Sequence, residues 1–174
     1  MDKKRYTYRA ATATTVAAEA GSAMFFVISG SADVKRYVHK IQVSGIHLTT
    51  LAVATIVCEK WSTAPTGGTA ATLTRVPLDA DGPTARTDGL VQVYTAAPTE
   101  GTLVGTIASR RVIVKSTTVV DGAPFGDVLF SFGDHDETQP VRLNGTAQAL
   151  SLAFAANPAS AVTCSVEVEW TEET

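Results

Sequence analysis

The chain has 174 residues, 45% of them hydrophobic and 18% charged, with a formal net charge of −3. That length suits one domain, or two small ones, and a single domain of this size buries roughly 70% of the surface its unfolded chain exposes, enough for a core without disulfide or metal staples. The high apolar content and low net charge exclude wholesale disorder, the lack of a sustained heptad excludes a coiled coil, and a pI near 5.6 excludes a nucleic-acid binder relying on bulk positive charge. The balance of residue types is more specific. There are 26 Ala, 25 Thr and 20 Val against three His, two Cys and two Met. Thr and Val are stiff at χ1 and suit pleated surfaces, while 13 Gly and 7 Pro supply turns. Composition therefore predicts a β-rich module that is poor in chemistry-bearing side chains.

Residues 1–22 read as a distinct leader, basic and aromatic at first and then Ala/Thr-rich from Ala10 to Ala20. Ala favours helix and Thr opposes it, so a short helix and an extended arm are both open. The basic start imitates the n-region of a signal peptide, but the residues up to Glu19 are too polar for an h-region. No stretch reaches the roughly 18 apolar residues of a membrane span. Tethered cations interleaved with rings can dock on an acidic neighbour and stack there. Lys3, Lys4, Arg5, Tyr6, Tyr8 and Arg9 thus form a candidate partner-binding arm, with a solvated terminus as the alternative. Residues 23–174 read as the folded domain.

Met24-Phe25-Phe26-Val27-Ile28 is an apolar run closed by Ser29-Gly30-Ser31, a strand ending in a turn. Period-two alternation follows, placing Tyr37, His39, Ile41 and Val43 on one face and Val38, Lys40 and Gln42 on the other. Thr50 to Trp61 is nearly continuous in apolar residues, the pattern of a strand covered on both faces. It closes on a loop over 62–68. Further strands are predicted at Thr72–Leu78, Leu90–Thr95, Thr106–Lys115, Val128–Phe132, Val141–Leu143, Gln148–Ala155 and Val162–Trp170, with turn residues between them. Asn144-Gly145 predicts a type I′ hairpin. In the last strand Val162, Cys164, Val166, Val168 and Trp170 lie opposite Thr163, Ser165, Glu167 and Glu169, so one face is dry and the other wet. About ten strands at this spacing, without intervening helices, predict an all-β antiparallel sandwich or barrel.

Few motifs carry chemistry. Cys58 and Cys164 sit in apolar runs and read as buried free thiols, with a disulfide as the alternative, and without a CxxC pair a zinc knuckle is excluded. Asp134-His135-Asp136-Glu137 concentrates potential metal ligands, but consecutive loop residues seldom converge on one point. Asp79-Ala80-Asp81-Gly82 echoes part of a calcium loop without its distant Glu, and reads as a turn. No G-x-S-x-G elbow is present, and His39, His47 and His135 have no Ser or Cys pattern around them. The expectation is a non-enzymatic chain with no catalytic residue, metal site or cofactor. Trp61, Tyr94 and Trp170 are the aromatics that could serve a sugar-binding face, although Trp170 falls on the apolar side of its strand.

Five stretches carry a likeness: His39-Lys40-Ile41-Gln42-Val43-Ser44-Gly45, the loop Ser62-Thr63-Ala64-Pro65-Thr66-Gly67-Gly68-Thr69, Val91-Gln92-Val93-Tyr94-Thr95-Ala96-Ala97-Pro98-Thr99, Val141-Arg142-Leu143-Asn144-Gly145-Thr146-Ala147-Gln148-Ala149-Leu150 and Val166-Glu167-Val168-Glu169-Trp170-Thr171-Glu172-Glu173. From about Val34 to Glu173 the chain resembles a family of small β-rich proteins encoded with the structural genes of tailed bacteriophages. The resemblance implies a virion component, a capsid decoration (cement) protein with a jelly-roll-like sandwich. Such a protein is made in the bacterial host cytoplasm and binds the major capsid protein shell as a homotrimer, with no direct nucleic-acid or membrane contact. Neck, tail and fibre parts also use β-sandwiches, which makes a carbohydrate- or receptor-binding module the alternative.

Overall fold

A computed structural model describes residues 4–12, 16–18, 24–48, 52–80, 82–83, 88–116, 127–133, 139–158 and 161–173. Among them are thirteen strands and no helix. The strands are β1 (Arg5–Ala11), β2 (Val16–Ala18), β3 (Met24–Ser29), β4 (Lys35–Leu48), β5 (Ala52–Thr63), β6 (Thr69–Thr72), β7 (Arg75–Pro77), β8 (Val91–Ala96), β9 (Thr102–Ser116), β10 (Val128–Ser131), β11 (Val141–Asn144), β12 (Ala149–Phe154) and β13 (Val162–Glu173). They form an all-β sandwich. The front sheet runs β4-β13-β1-β7, with β10 and β11 paired to β4 and β2 paired to β13. The back sheet runs β6-β8-β3-β12-β5-β9. Described pairings are antiparallel except where His47 and Leu48 of β4 meet Lys115 and Ser116 of β9, which joins the sheets along one side.

The core lies between the inner faces. Val162, Cys164, Val166, Val168 and Trp170 are all buried there, as the alternation of β13 predicts. They meet Phe26 and Ile28 of β3, Ile56 and Cys58 of β5, and Leu150, Leu152 and Phe154 of β12. Each large aliphatic or aromatic side chain buried in this way contributes roughly 1.5–3 kcal/mol.

The phase of β4 departs from simple alternation. Arg36, Val38, Ile41, Val43 and Ile46 are buried, whereas Tyr37 and His39 share the outer face. The cause is two bulges. Trp170 pairs with Val38 and Glu169 with Lys40, so His39 is an extra residue. A second slip falls at Gly45, whose φ of 61° suits only glycine comfortably. Each bulge moves every following side chain to the other face.

Three other expectations change. Val53 is exposed and Ala54, Thr55 and Val57 are only partly buried, so β5 is covered on one face. The strands covered on both faces are β3 and β12. Their outer face is mostly small (Val27, Ala149, Ser151, Ala153, with Met24 at one end) and is roofed by Trp61 and Tyr94, with the Trp61 indole donating to Ser151 Oγ at 2.8 Å. The 72–78 segment divides into β6 of the back sheet and β7 of the front sheet. Asn144-Gly145 is not a hairpin turn: β11 and β12 belong to different sheets, and only Gly145 of the two has positive φ. The turn is a passage between layers, held by Gly30 N–H donating to Gln148 O at 2.7 Å. A Cβ on Gly30 would run into the Gly145 carbonyl, so glycine permits the approach.

The largest revision concerns the N-terminus. Arg5–Ala11 is no detached arm but an inner strand, paired with β13 over its whole length and with β7 on its other side. Tyr8 and Ala10 belong to the core, and the Tyr8 ring stacks on Trp170 at 5.8 Å between centroids. The sandwich therefore begins at Arg5 rather than Ala23.

Candidate functional site

Because β1, β13, β4 and β11 alternate, the residues they turn outward form rows across the front sheet. Arg5, Glu173, Lys35 and Asn144 make one row, and Thr7, Thr171, Tyr37 and Arg142 make the next. Arg9, Glu169 and Lys40 make a third. The bulge at His39 sets an imidazole between the second and third rows. These side chains surround a cleft of about 390 Å³, whose walls are Arg5, Tyr37, His39, Arg142 and Thr171 and whose rim is Gln139-Pro140.

The cleft is cationic and partly organised. Arg5 donates through Nε and Nη2 to Glu173 Oε2, at 3.0 and 2.8 Å, and its guanidinium lies 5.8 Å from the Tyr37 ring centroid. His39 Nε2 and Thr171 Oγ1 are hydrogen-bonded at 2.8 Å. Arg142 has no carboxylate partner among the described residues, although its carbonyl accepts from Lys60 Nζ. Burial, and then the Arg142 charge, pull the Lys60 ammonium below its ordinary value. Beside the cleft Arg9 Nη2 donates to Glu169 Oε2 at 2.8 Å; that bond, and then the Glu167 charge, hold the guanidinium above its usual range. Such a surface can bind an anion and hold it by paired donors. Its lining sets one hydroxyl against one imidazole, Thr171 and His39, and holds no carboxylate among the described residues.

Of the proposed arm residues, Arg5 reaches this cleft and Arg9 flanks it. Tyr6 packs partly buried against the core, Tyr8 is wholly within it, Lys4 is exposed, and Lys3 lies outside the described residues. The rings are thus not free to stack on a neighbour. Tyr37, His39 and Arg142 are cleft residues that sequence reasoning missed, since only the fold brings residues 5, 37, 142 and 171 together.

A second charged cluster is enclosed. The Arg36 guanidinium donates to Glu172 Oε1 at 3.0 Å through Nε, to Ser29 O at 2.7 Å, and to the carbonyls of Asp88 and Gly89. It lies 5.7 Å from the Trp170 ring centroid, and Trp170 Nε1 donates to the same Glu172 oxygen at 3.1 Å. Burial pulls the Arg36 guanidinium below its ordinary value, opposed by the Glu172 charge. Asp88 accepts from Ser31 Oγ and from Ala32 N–H; burial raises its carboxyl, but these bonds and the Arg36 charge outweigh that and leave it below its usual range. With every donor engaged, the cluster ties the front sheet to the segment entering β8 of the back sheet, and it offers nothing to a ligand.

The remaining candidates are structural or outside the description. Asp134-His135-Asp136-Glu137 lies outside the described residues, and among those described no group of three His, Cys, Asp or Glu is placed to hold a metal. In 79–82, Gly82 N–H donates to Asp79 O at 2.9 Å, and Asp81 lies outside the described residues. Cys58 and Cys164 are free and buried, and burial pushes the Cys164 thiol up to about 12 and Cys58 further still. Trp61, Tyr94 and Trp170 are all buried, so none offers a sugar-stacking face. In comparison with known proteins, no family model matches the chain and no curated protein matches it.

Proposed function

We propose that this chain is a non-enzymatic structural protein of a tailed-bacteriophage virion, a decoration or cement protein that binds the outer capsid and stabilises the shell of the major capsid protein. The resemblance from Val34 to Glu173 supports this, and its five stretches all fall within the one sandwich. The observation that carries the reading is the surface of β9. Leu103, Val104 (65% exposed), Ile107 and Ile113 (64% exposed) stand in solvent along this strand, and exposed Val53 pairs across from Ile113. Soluble monomers rarely leave apolar side chains so grouped unless something covers them. Among the described residues β9 meets β4 only at Lys115 and Ser116, and the side of its remaining length away from β5 is a natural assembly contact. Stable attachment takes about 1,000 Å² or more of buried surface, which a homotrimer spread over several capsid subunits supplies through avidity.

Mixing the purified protein with undecorated heads of the encoding phage, then sedimenting them, tests the reading. Co-sedimentation at saturable stoichiometry is expected; none at micromolar protein overturns it. The carbohydrate-binding alternative loses its best support with the burial of Trp61, Tyr94 and Trp170, and a glycan array with clear hits would restore it.

A further inference from the structure

We infer that the front-sheet cleft is a docking site for an extended acidic segment of a partner protein, whose carboxylates sit between Arg5 and Arg142. This deepens the capsid reading by naming the chemistry of the contact, while its test needs no capsid.

Charge is the first argument. The chain as a whole is acidic, yet every charged side chain lining the cleft is a cation. On the surrounding face Arg5, Arg9, Lys35, Lys40 and Arg142 outnumber Glu167, Glu169 and Glu173. Glu173 and Glu169 are already taken by Arg5 and Arg9. Lys35 and Lys40 face those same glutamates in the register, so the carboxylates are shared and positive charge is left over. Arg142 has no acidic partner among the described residues, and its charge falls on the half-buried Lys60.

Geometry supplies the second argument. Arg142 offers a planar fork of donors suited to a carboxylate. Arg5 is held over Tyr37 with Nη1 uncommitted to Glu173, so its approach is pre-set and little side-chain entropy remains to be lost on binding. Length decides between a small anion and a polymer. Lys35 and Lys40 bracket the cleft along β4; they face Glu173 and Glu169, four residues apart on β13, so they lie roughly 13 Å apart at about 3.3 Å per residue. One carboxylate or phosphate cannot reach both ends. An extended peptide of about five residues does, with alternate side chains directed at the sheet.

The test is a titration of the full chain with a blocked, alternating Asp/Glu peptide of about that length, followed by calorimetry and by the NMR ring signals of Tyr37 and His39. Saturable binding that shifts both rings is expected, and Arg142→Gln and Arg5→Gln should each weaken it about tenfold, the weight of one hydrogen bond to a charged group. Arg111→Gln on the back sheet should leave affinity unchanged. The matching Asn/Gln peptide should not bind. No saturation at millimolar acidic peptide, or equal binding by the Asn/Gln peptide, overturns the inference. Inorganic phosphate binding as tightly as the peptide would assign the cleft to a small anion instead. A several-fold gain in affinity on neutralising Asp134, Asp136 and Glu137 together would show that the chain's own acidic stretch competes for the place, which also overturns it. Capsid binding that Arg5→Gln and Arg142→Gln leave intact would reject the cleft while keeping the virion reading; peptide binding without capsid binding would do the reverse.

Discussion

Glu172 and Glu173 are consecutive on β13 and each meets an arginine, but the strand turns them to opposite faces. Inward, Glu172 meets Arg36, and both side chains are almost fully shielded from solvent (3% and 0% exposed). Outward, Glu173 meets Arg5; the Glu173 side chain is only 6% exposed, but that of Arg5 is 67% exposed, so this pair is open to water on one side alone. The inner pair is surrounded by carbonyls, an indole N–H and a second arginine, Arg75 at 3.6 Å. The outer pair borders a cleft with donors left over. The same ion-pair chemistry thus acts as a lock where water is excluded and as a binding surface where it is not. Desolvation makes the difference: a buried charge without its partner is expensive, while an exposed pair is screened and worth little to stability.

Removing both pairs' scaffold at once is the most drastic test. Deleting residues 1–11 takes β1 from between β13 and β7, and with it Tyr8 and Ala10 from the core. The truncated chain should fail to fold, read as loss of its cooperative melting transition by circular dichroism. A native-like transition would show that β1 is dispensable.

Glu172→Gln, which strands the Arg36 charge, should cost about 3–5 kcal/mol in chemical denaturation. Replacing both partners, as Arg36→Met with Glu172→Leu, should recover only part of that, because the lone Arg36 charge is gone but Arg75, 7% exposed, still loses Glu172. A small loss for the single variant would deny the lock its role. Gly89→Ala probes the same cluster from the backbone. Gly89 has φ near 64° and the Arg36 guanidinium occupies the space of a Cβ, so the substitution should cost about 1–3 kcal/mol.

Acid should weaken the lock modestly. Asp88 titrates below its ordinary range, so its stabilising contribution is complete above the unfolded value near 3.9 and is lost as pH falls through the lower folded value. Asp88→Asn should flatten that acid limb of the stability curve, measured by denaturation at pH 2–5. Arg5→Gln should cost less stability than Glu172→Gln, about 1 kcal/mol, because Glu173 is shielded but its partner stands largely in water, while weakening the cleft's affinity for acidic peptide about tenfold. A large stability loss there would erase the distinction between the two faces.

How much of this was legible varies strand by strand. The dry face of β13 follows from its own alternation, and extending that count places Glu172 inside as well. In β4 the same reasoning puts Tyr37 and His39 on the wrong face, because nothing in the local pattern marks an extra residue at His39; only Gly45 hints at the second slip. The apolar run of β5 suggests double burial, yet the strands that achieve it are β3 and β12, where small residues accept a roof of Trp61 and Tyr94 from neighbouring strands. The leader reads as an arm because Ala/Thr content speaks neither for helix nor for strand; its pairing with β13 lies more than 150 residues away in the chain. The cleft was legible only in Arg5.

The sequence by itself determined that this is an all-β chain with short strands, glycine and proline turns and a wet and a dry side to its last strand, since those properties depend on propensity and on a period of two residues. The tertiary structure alone decided which strands are neighbours, and hence that Arg36 meets Glu172 across 136 residues of chain while Arg5, His39 and Arg142 border one cleft. Strand pairing is chosen by the fit of whole faces against one another, and bulges shift that fit by single residues, so no local window holds the information.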